Sequence, residues 1–216
     1  MACLPASAYQ PLGLERSLRM NRWLPRVQKM VDTNYGTVRG WVRVVLGQLE
    51  FATGRVEQYL HPRLQDVDRL VFVCLGNINR SAFSEIVARA QGVTTCSLGL
   101  STMTGQPAFH KAVATARPFG LDLSAHTATD LTDYQFRPTD LLLVMEIRHA
   151  EKLRAAGIPP ASIALLGHWA APHRIHLHDP HVLSDAYFRT CFTLLHSAVS
   201  GLVADLRAAG SPCIKQ

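Results

Sequence analysis

Within VFVCLGNINRSAF a thiol, Cys74, precedes a guanidinium, Arg80, by six positions. A thiolate is a nucleophile, and a guanidinium forks onto two oxygens of a phosphate-like group. Between them lie Leu75, Gly76, Asn77, Ile78 and Asn79, and Ser81 follows. The backbone N–H groups of such a loop, opening a helix, form a nest for a tetrahedral oxyanion such as inorganic phosphate. Gly76 permits close backbone approach. Asn77 can hold an unusual loop conformation through its side chain, and the Ser81 hydroxyl can donate to the sulfur when it departs. The G-K-[ST] ending of a nucleotide loop is missing, and one glycine is too few for a dinucleotide fingerprint. A cysteine at a strand end is ordinarily inert packing; here strand, Gly-Asn, serine and helix together favour chemistry.

Those residues need a strand before them and a helix after. Apolar runs at 70–74 and 140–145, and the segments TTCSL (94–98) and SIALL (162–166), read as strands. Helical patterns cover 81–90, 107–120, the stretch after Met145 through Ala156, and 184–209. Alternation of this kind predicts an α/β fold: a three-layer, four-stranded parallel flavodoxin-like sheet with helices on both faces, preceded by an N-terminal helical extension. The loop then lies at the carboxyl end of the first strand, where such sheets bind ligands. The expected division is 1–66 for the extension, of unassigned role, and 67–216 for the catalytic domain. Residues 1–20, with many small residues and prolines, are expected to lack regular structure. From Val38 to Leu60 the stripe Trp41, Val45, Leu49, Ala52, Val56 and Leu60 predicts one helix packed on the main domain. A homodimer contact or a membrane-surface contact is the alternative use, since Arg39, Arg43 and Arg55 border the stripe.

VFVCLGNINRS resembles the signature of the low-molecular-weight protein tyrosine phosphatases, V-C-x-G-N-x-C-R-S, and the resemblance runs from about Arg69 to Leu206. It implies hydrolysis of protein phosphotyrosine through a cysteinyl phosphate, with Cys74 as nucleophile and Arg80 as phosphate clamp. It implies Asp179 as general acid in an Asp-Pro loop that Pro180 helps fix. SLGLSTMTG and LSAHTATDL resemble further family segments, which makes Ser97 a brace for Asn77 and His126 a support for the loop. No metal or organic cofactor is implied. The family's second loop cysteine is Asn79 here, its usual proline after Arg-Ser is Ala82, the aromatic after Asp-Pro is His181, and its aromatic wall position falls on Met103. An aliphatic wall resembles the bacterial branch linked to exopolysaccharide tyrosine kinases, so such a kinase is an expected partner. Ile78 stands where related protein-arginine phosphatases carry threonine, which favours phosphotyrosine. The competing readings are a thioredoxin-linked arsenate reductase and a catalytically weak phosphotyrosine-binding adaptor. The first needs two further cysteines close together; Cys96, Cys191 and Cys213 are far apart.

The bulk numbers are compatible with this. The 216 residues are 48% hydrophobic, enough for a sizeable core, and carry a formal charge of +6 that suits anionic partners. Nucleic acid is not expected among them. No C-x-x-C pair occurs among the five cysteines, and reduced thiols in the cytoplasm are expected. No apolar run reaches the length of a transmembrane segment. His168, His173, His176, His178 and His181 crowd around Asp179. They are read as exposed loop residues that make the local charge pH-dependent, rather than as a metal site.

Overall fold

The computed structural model describes residues 13–214. Strands β1 (Arg69–Cys74), β2 (Thr95–Gly99), β3 (Asp140–Val144) and β4 (Ile163–Leu165) form one sheet in the order β2-β1-β3-β4. Every pairing is parallel, and Cys74 ends its strand opposite Gly99 of β2. The continuous apolar runs follow from burial on both faces. Leu70, Phe72 and Cys74 of β1 enter one core with Phe83 and Phe192; Val71 and Val73 enter the other with Ala150 and Leu153.

Crossover helices connect the strands: α3 (Arg80–Ala90), α4 (His110–Ala116) and α5 (Ile147–Ala155). The long α6 (Asp185–Ala208) closes the chain and is capped by Ser184, whose hydroxyl accepts from the Tyr187 N–H at 3.2 Å. The expected helix over 107–120 is shorter, because Pro118 ends its regular hydrogen bonding. One tight turn follows, closed by Gly120 at φ +72°.

The extension departs most from expectation. Helix α1 (Gly13–Tyr35) already begins inside the segment expected to lack structure; residues 1–12 lie outside the described part. Leu14, Glu15, Arg16, Leu18, Arg19 and Met20 are good helix formers, and they outweigh the small residues around them. Helix α2 (Val38–Ala52) stops well short of Leu60, at Thr53 and a left-handed Gly54. Val56, Tyr59 and Leu60 are buried beyond it, yet Trp41, Val45 and Leu49 face outward. The buried residues of α2 are Gly40 and Gly47, on the opposite side. A Cβ on Gly40 would stand 2.7 Å from His178 Cδ2 and 2.1 Å from the Tyr35 carbonyl, and one on Gly47 3.3 Å from His176 Cβ. The helix thus seats its small residues against the chain leading to Asp179, and the apolar stripe is left pointing away. Arg174 joins the two parts: it donates to the Asn34 carbonyl at 2.7 Å and lies over the Tyr35 ring.

Candidate active site

The loop from Cys74 to Arg80 wraps around one sulfur. The Asn77 N–H donates to Cys74 Sγ at 3.2 Å, and Ser81 Oγ lies 3.0 Å from it. Asn77 takes φ +50°, a left-handed conformation that asparagine tolerates better than most residues. Its buried side chain secures that turn: Nδ2 donates to Ser81 Oγ at 2.8 Å and Ser97 Oγ at 2.7 Å, and Oδ1 accepts the Thr129 N–H at 2.9 Å. His126 Nε2 stands 2.7 Å from the Asn77 carbonyl; a carbonyl only accepts, so this nitrogen carries the proton. Ser97 Oγ in turn donates to Glu85 Oε2 at 2.5 Å. Ser81, already accepting from Asn77, has its hydroxyl proton left for the sulfur. Two donors therefore converge on Sγ, the complement of a departing thiolate.

Arg80 opens α3 and is fully buried. Its Nη1 donates to Glu146 Oε1 at 2.7 Å and to the Leu177 carbonyl at 2.8 Å; Nη2 donates to Asp179 Oδ2 at 2.8 Å. The buried Nε has no partner among the described residues. Burial alone would push the Glu146 carboxyl up, but Arg80 and the neighbouring His176 hold it well below the usual carboxylate range. For Asp179 burial again acts upward and is outweighed, by the Arg80 guanidinium and then by the His181 N–H at 3.1 Å. Pro180 is buried beside it.

A cavity of about 220 Å³ separates the loop from the acid, lined by Cys74, Leu75, Gly76, Ile78 and Asn79, by Thr102 and Gln106, and by Asp179 and His181. Asn79 Nδ2 lies 3.4 Å from His181 Nδ1, so the two positions that depart from the signature meet across it. The ring of His181 stands edge-on to Phe109 at 4.8 Å. Met103 does not line the cavity and is 74% exposed; Phe109 supplies the nearby aromatic ring instead.

His173 and His181 are exposed as expected, and the other three histidines of the stretch are not. His176 is buried, and His168 and His178 are half-buried, because α2 and α6 pack over this stretch. Burial lowers His176 to about 4 and moves His168, His173 and His178 in the same direction. His176 therefore stays neutral through the range in which an exposed ring would titrate. Among the described residues no three His, Cys, Asp or Glu side chains are grouped to hold a metal ion.

Sequence reasoning missed Glu85, Thr102, Phe109, Thr129 and Glu146. Thr102 Oγ1 donates to the Gly76 carbonyl at 2.8 Å. Glu146 had a signal: it follows the carboxyl end of β3 as Cys74 ends β1, the edge where parallel sheets gather their chemistry.

Residues 69–211 match the family model described as low molecular weight phosphotyrosine protein phosphatase. The chain belongs to that family. It is 32% identical over 133 residues to the low molecular weight protein-tyrosine-phosphatase Wzb of Salmonella typhi, covering 59% of this chain and 87% of the relative. The crystal structure of the Erwinia amylovora tyrosine phosphatase AmsI superposes with a TM-score of 0.59 at 31% identity, over 64% of this chain and 93% of that one. The phosphatase Wzb of Escherichia coli K30, solved in complex with sulphate, gives 0.55 at 29% identity, over 67% and 97%. The likeness does not favour the arsenate reductase reading. Burial pushes the Cys96 thiol to about 11 and Cys191 to about 12, and they sit on β2 and α6 rather than side by side.

Proposed function

We propose that the chain hydrolyses protein phosphotyrosine by two successive displacements at phosphorus. The observation that carries this is the single cavity lined by both Cys74 and Asp179, whose carboxylate rests on Arg80. The loop amides from Leu75 to Ser81 and Arg80 would hold the phosphoryl oxygens; the unpartnered Nε of Arg80 is a donor still available to them. A phosphoryl dianion competes with Asp179 for the guanidinium. As Arg80 turns to it, the chief influence lowering the Asp179 carboxyl weakens, and the acid can take up the proton it must give.

In the first step Sγ bonds to phosphorus, the phosphorus–oxygen bond to tyrosine breaks, and Asp179 protonates the departing oxygen. In the second, Asp179 takes a proton from water, the water oxygen bonds to phosphorus, and the sulfur–phosphorus bond breaks. Ser81 and the Asn77 N–H receive the thiolate, and inorganic phosphate leaves. Asn77, Ser97 and His126 keep the loop in register, and Pro180 fixes the arm that carries the acid. The bound sulphate of the Escherichia coli K30 relative supports an oxyanion in the loop. Ile78 in the wall supports an aryl rather than a guanidinium leaving group.

The physiological substrate we assign is a tyrosine kinase linked to exopolysaccharide production, in the cytoplasm, and the division at residues 66 and 67 is adopted with it. Turnover of phosphotyrosine, phosphoserine and phosphoarginine peptides, alongside thioredoxin-coupled arsenate, tests the reading. Phosphotyrosine should be hydrolysed fastest, with no thioredoxin-dependent arsenate reduction. Faster release from phosphoarginine, or coupled arsenate turnover, would replace it.

A further inference from the structure

We propose that α1 and α2 form a docking surface for an anionic lipid bilayer. On α2 the exposed apolar residues Val38, Trp41, Val42, Val45, Leu46 and Leu49 occupy one face, and Gly40 and Gly47 lie on the opposite one. Taking about 100° per residue, the six fall within an arc of roughly 140° centred almost opposite the glycines. The helix is therefore amphipathic in the reverse sense for a packed element: its small residues bear on the protein and its large apolar side chains meet the solvent. Helix α1 adds Trp23, Leu24, Val27 and Met30, all exposed and at helical spacing. Surface this apolar is seldom left uncovered in a folded chain.

Charge and residue type identify the occupant. Arg26, Lys29, Arg39 and Arg55 are exposed on the same two helices and the turn after them. Among the described residues none of these four pairs with a carboxylate; the ion pairs of the extension are Arg43 with Glu146 and His61 with Glu57. Residues 1–66 hold nine Lys and Arg against five Asp and Glu, so most of the +6 lies in this part. A second copy docked by the same face would set like rims against each other. Anionic headgroups neutralise them instead. Two of the three tryptophans, Trp23 and Trp41, are exposed on these two helices, and tryptophan favours the membrane–water interface. Helix α2, with 15 residues, is about 22 Å long, shorter than the roughly 30 Å hydrocarbon core. No described helix is long and apolar enough to cross a membrane. The surface would therefore lie in the plane of the interface.

The test uses the full chain with vesicles of phosphatidylcholine alone and vesicles that also contain phosphatidylglycerol. Sedimentation should carry the protein down with the second kind and not the first, with a blue shift of tryptophan emission. Raising the salt should release it. Leu49→Asp should lower the partition about tenfold or more, and Arg26→Gln with Lys29→Gln and Arg39→Gln should remove the preference for anionic vesicles. Each variant should retain aryl phosphate turnover, which shows that it has folded. Failure of the active wild-type chain to bind anionic vesicles, or equal binding to neutral ones, would overturn the proposal. So would a concentration-dependent dimer in vesicle-free solution that Leu49→Asp abolishes, because the face would then belong to a second copy.

Discussion

Asp179 rests on Arg80, the guanidinium proposed above to clamp an incoming phosphoryl group. The acid therefore competes with ligand for Arg80. Asp179→Asn should bind inorganic phosphate several-fold more tightly, measured by inhibition or calorimetry. The same variant should lose roughly 10²-fold or more in kcat on substrates with poor leaving groups, and much less with good ones. Equal slowing for both classes would remove Asp179 from the role of acid. The buried histidines make a second claim at this scale. His176 falls from 6.5 to about 4 and His149 to about 3, chiefly through burial. Between those values the unfolded chain binds protons that the folded chain refuses, so their contribution is complete above about 6.5 and is lost as the pH falls toward 4 and then 3. Each proton contributes a slope approaching about 1.4 kcal/mol per pH unit. Urea unfolding at a series of pH values should show stability falling below about pH 6.5; a flat profile down to about pH 5 would refute neutral burial. Cys74, Arg80 and Asp179 were legible because each belongs to a short stretch whose neighbours announce it. Glu85 was not, since its carboxylate acquires its meaning only from the serine and imidazole that folding sets beside it; Glu146 was marked only by its place after β3, and its pairing with Arg80 only by folding.

Among elements, the parallel sheet and its crossovers were readable from runs of apolar residues with breakers between them. The extension was readable only in part. Periodicity shows that a helix has an apolar face, but not that this face is the one buried. On α2 the deciding contacts come from two glycines, which leave no apolar signal, against histidines more than a hundred residues away. Gly40→Ala should clash first with the Tyr35 carbonyl at 2.1 Å and then with the His178 ring at 2.7 Å, shifting α2 and with it the arm that carries Asp179. A loss of about 1–3 kcal/mol in stability is expected from overpacking, together with a several-fold fall in kcat. Thermal unfolding and steady-state turnover check both, and a variant unchanged in each would show that the seam is not tight. Helix α1 beginning at Gly13 is a related case: residues 13–20, GLERSLRM, hold no proline and mostly good helix formers, so the composition of the whole segment was a poor guide to them.

For the whole molecule, the loop proposed to bind phosphate and the proposed acid are supported differently. The loop grows from β1, one of the two inner strands of the sheet, paired on both sides, with Leu70 through Val73 wholly buried. The arm leading to Asp179 lies outside the sheet, between α2 and α6. Its ties to the extension include the Arg174 bond to Asn34 and the Ile175 N–H to Gln48 at 3.2 Å. Parts of one fold open with different free energies, and core strands open last. Amide hydrogens of 70–74 should exchange only on global unfolding, while those of 173–183 should exchange through cheaper local openings; uniform protection across both would contradict this. The nucleophile would then be held by the most persistent part of the protein and its proton donor by a less persistent one. Gentle heating should cost the enzyme its proton transfer before it costs it the ability to grip phosphate.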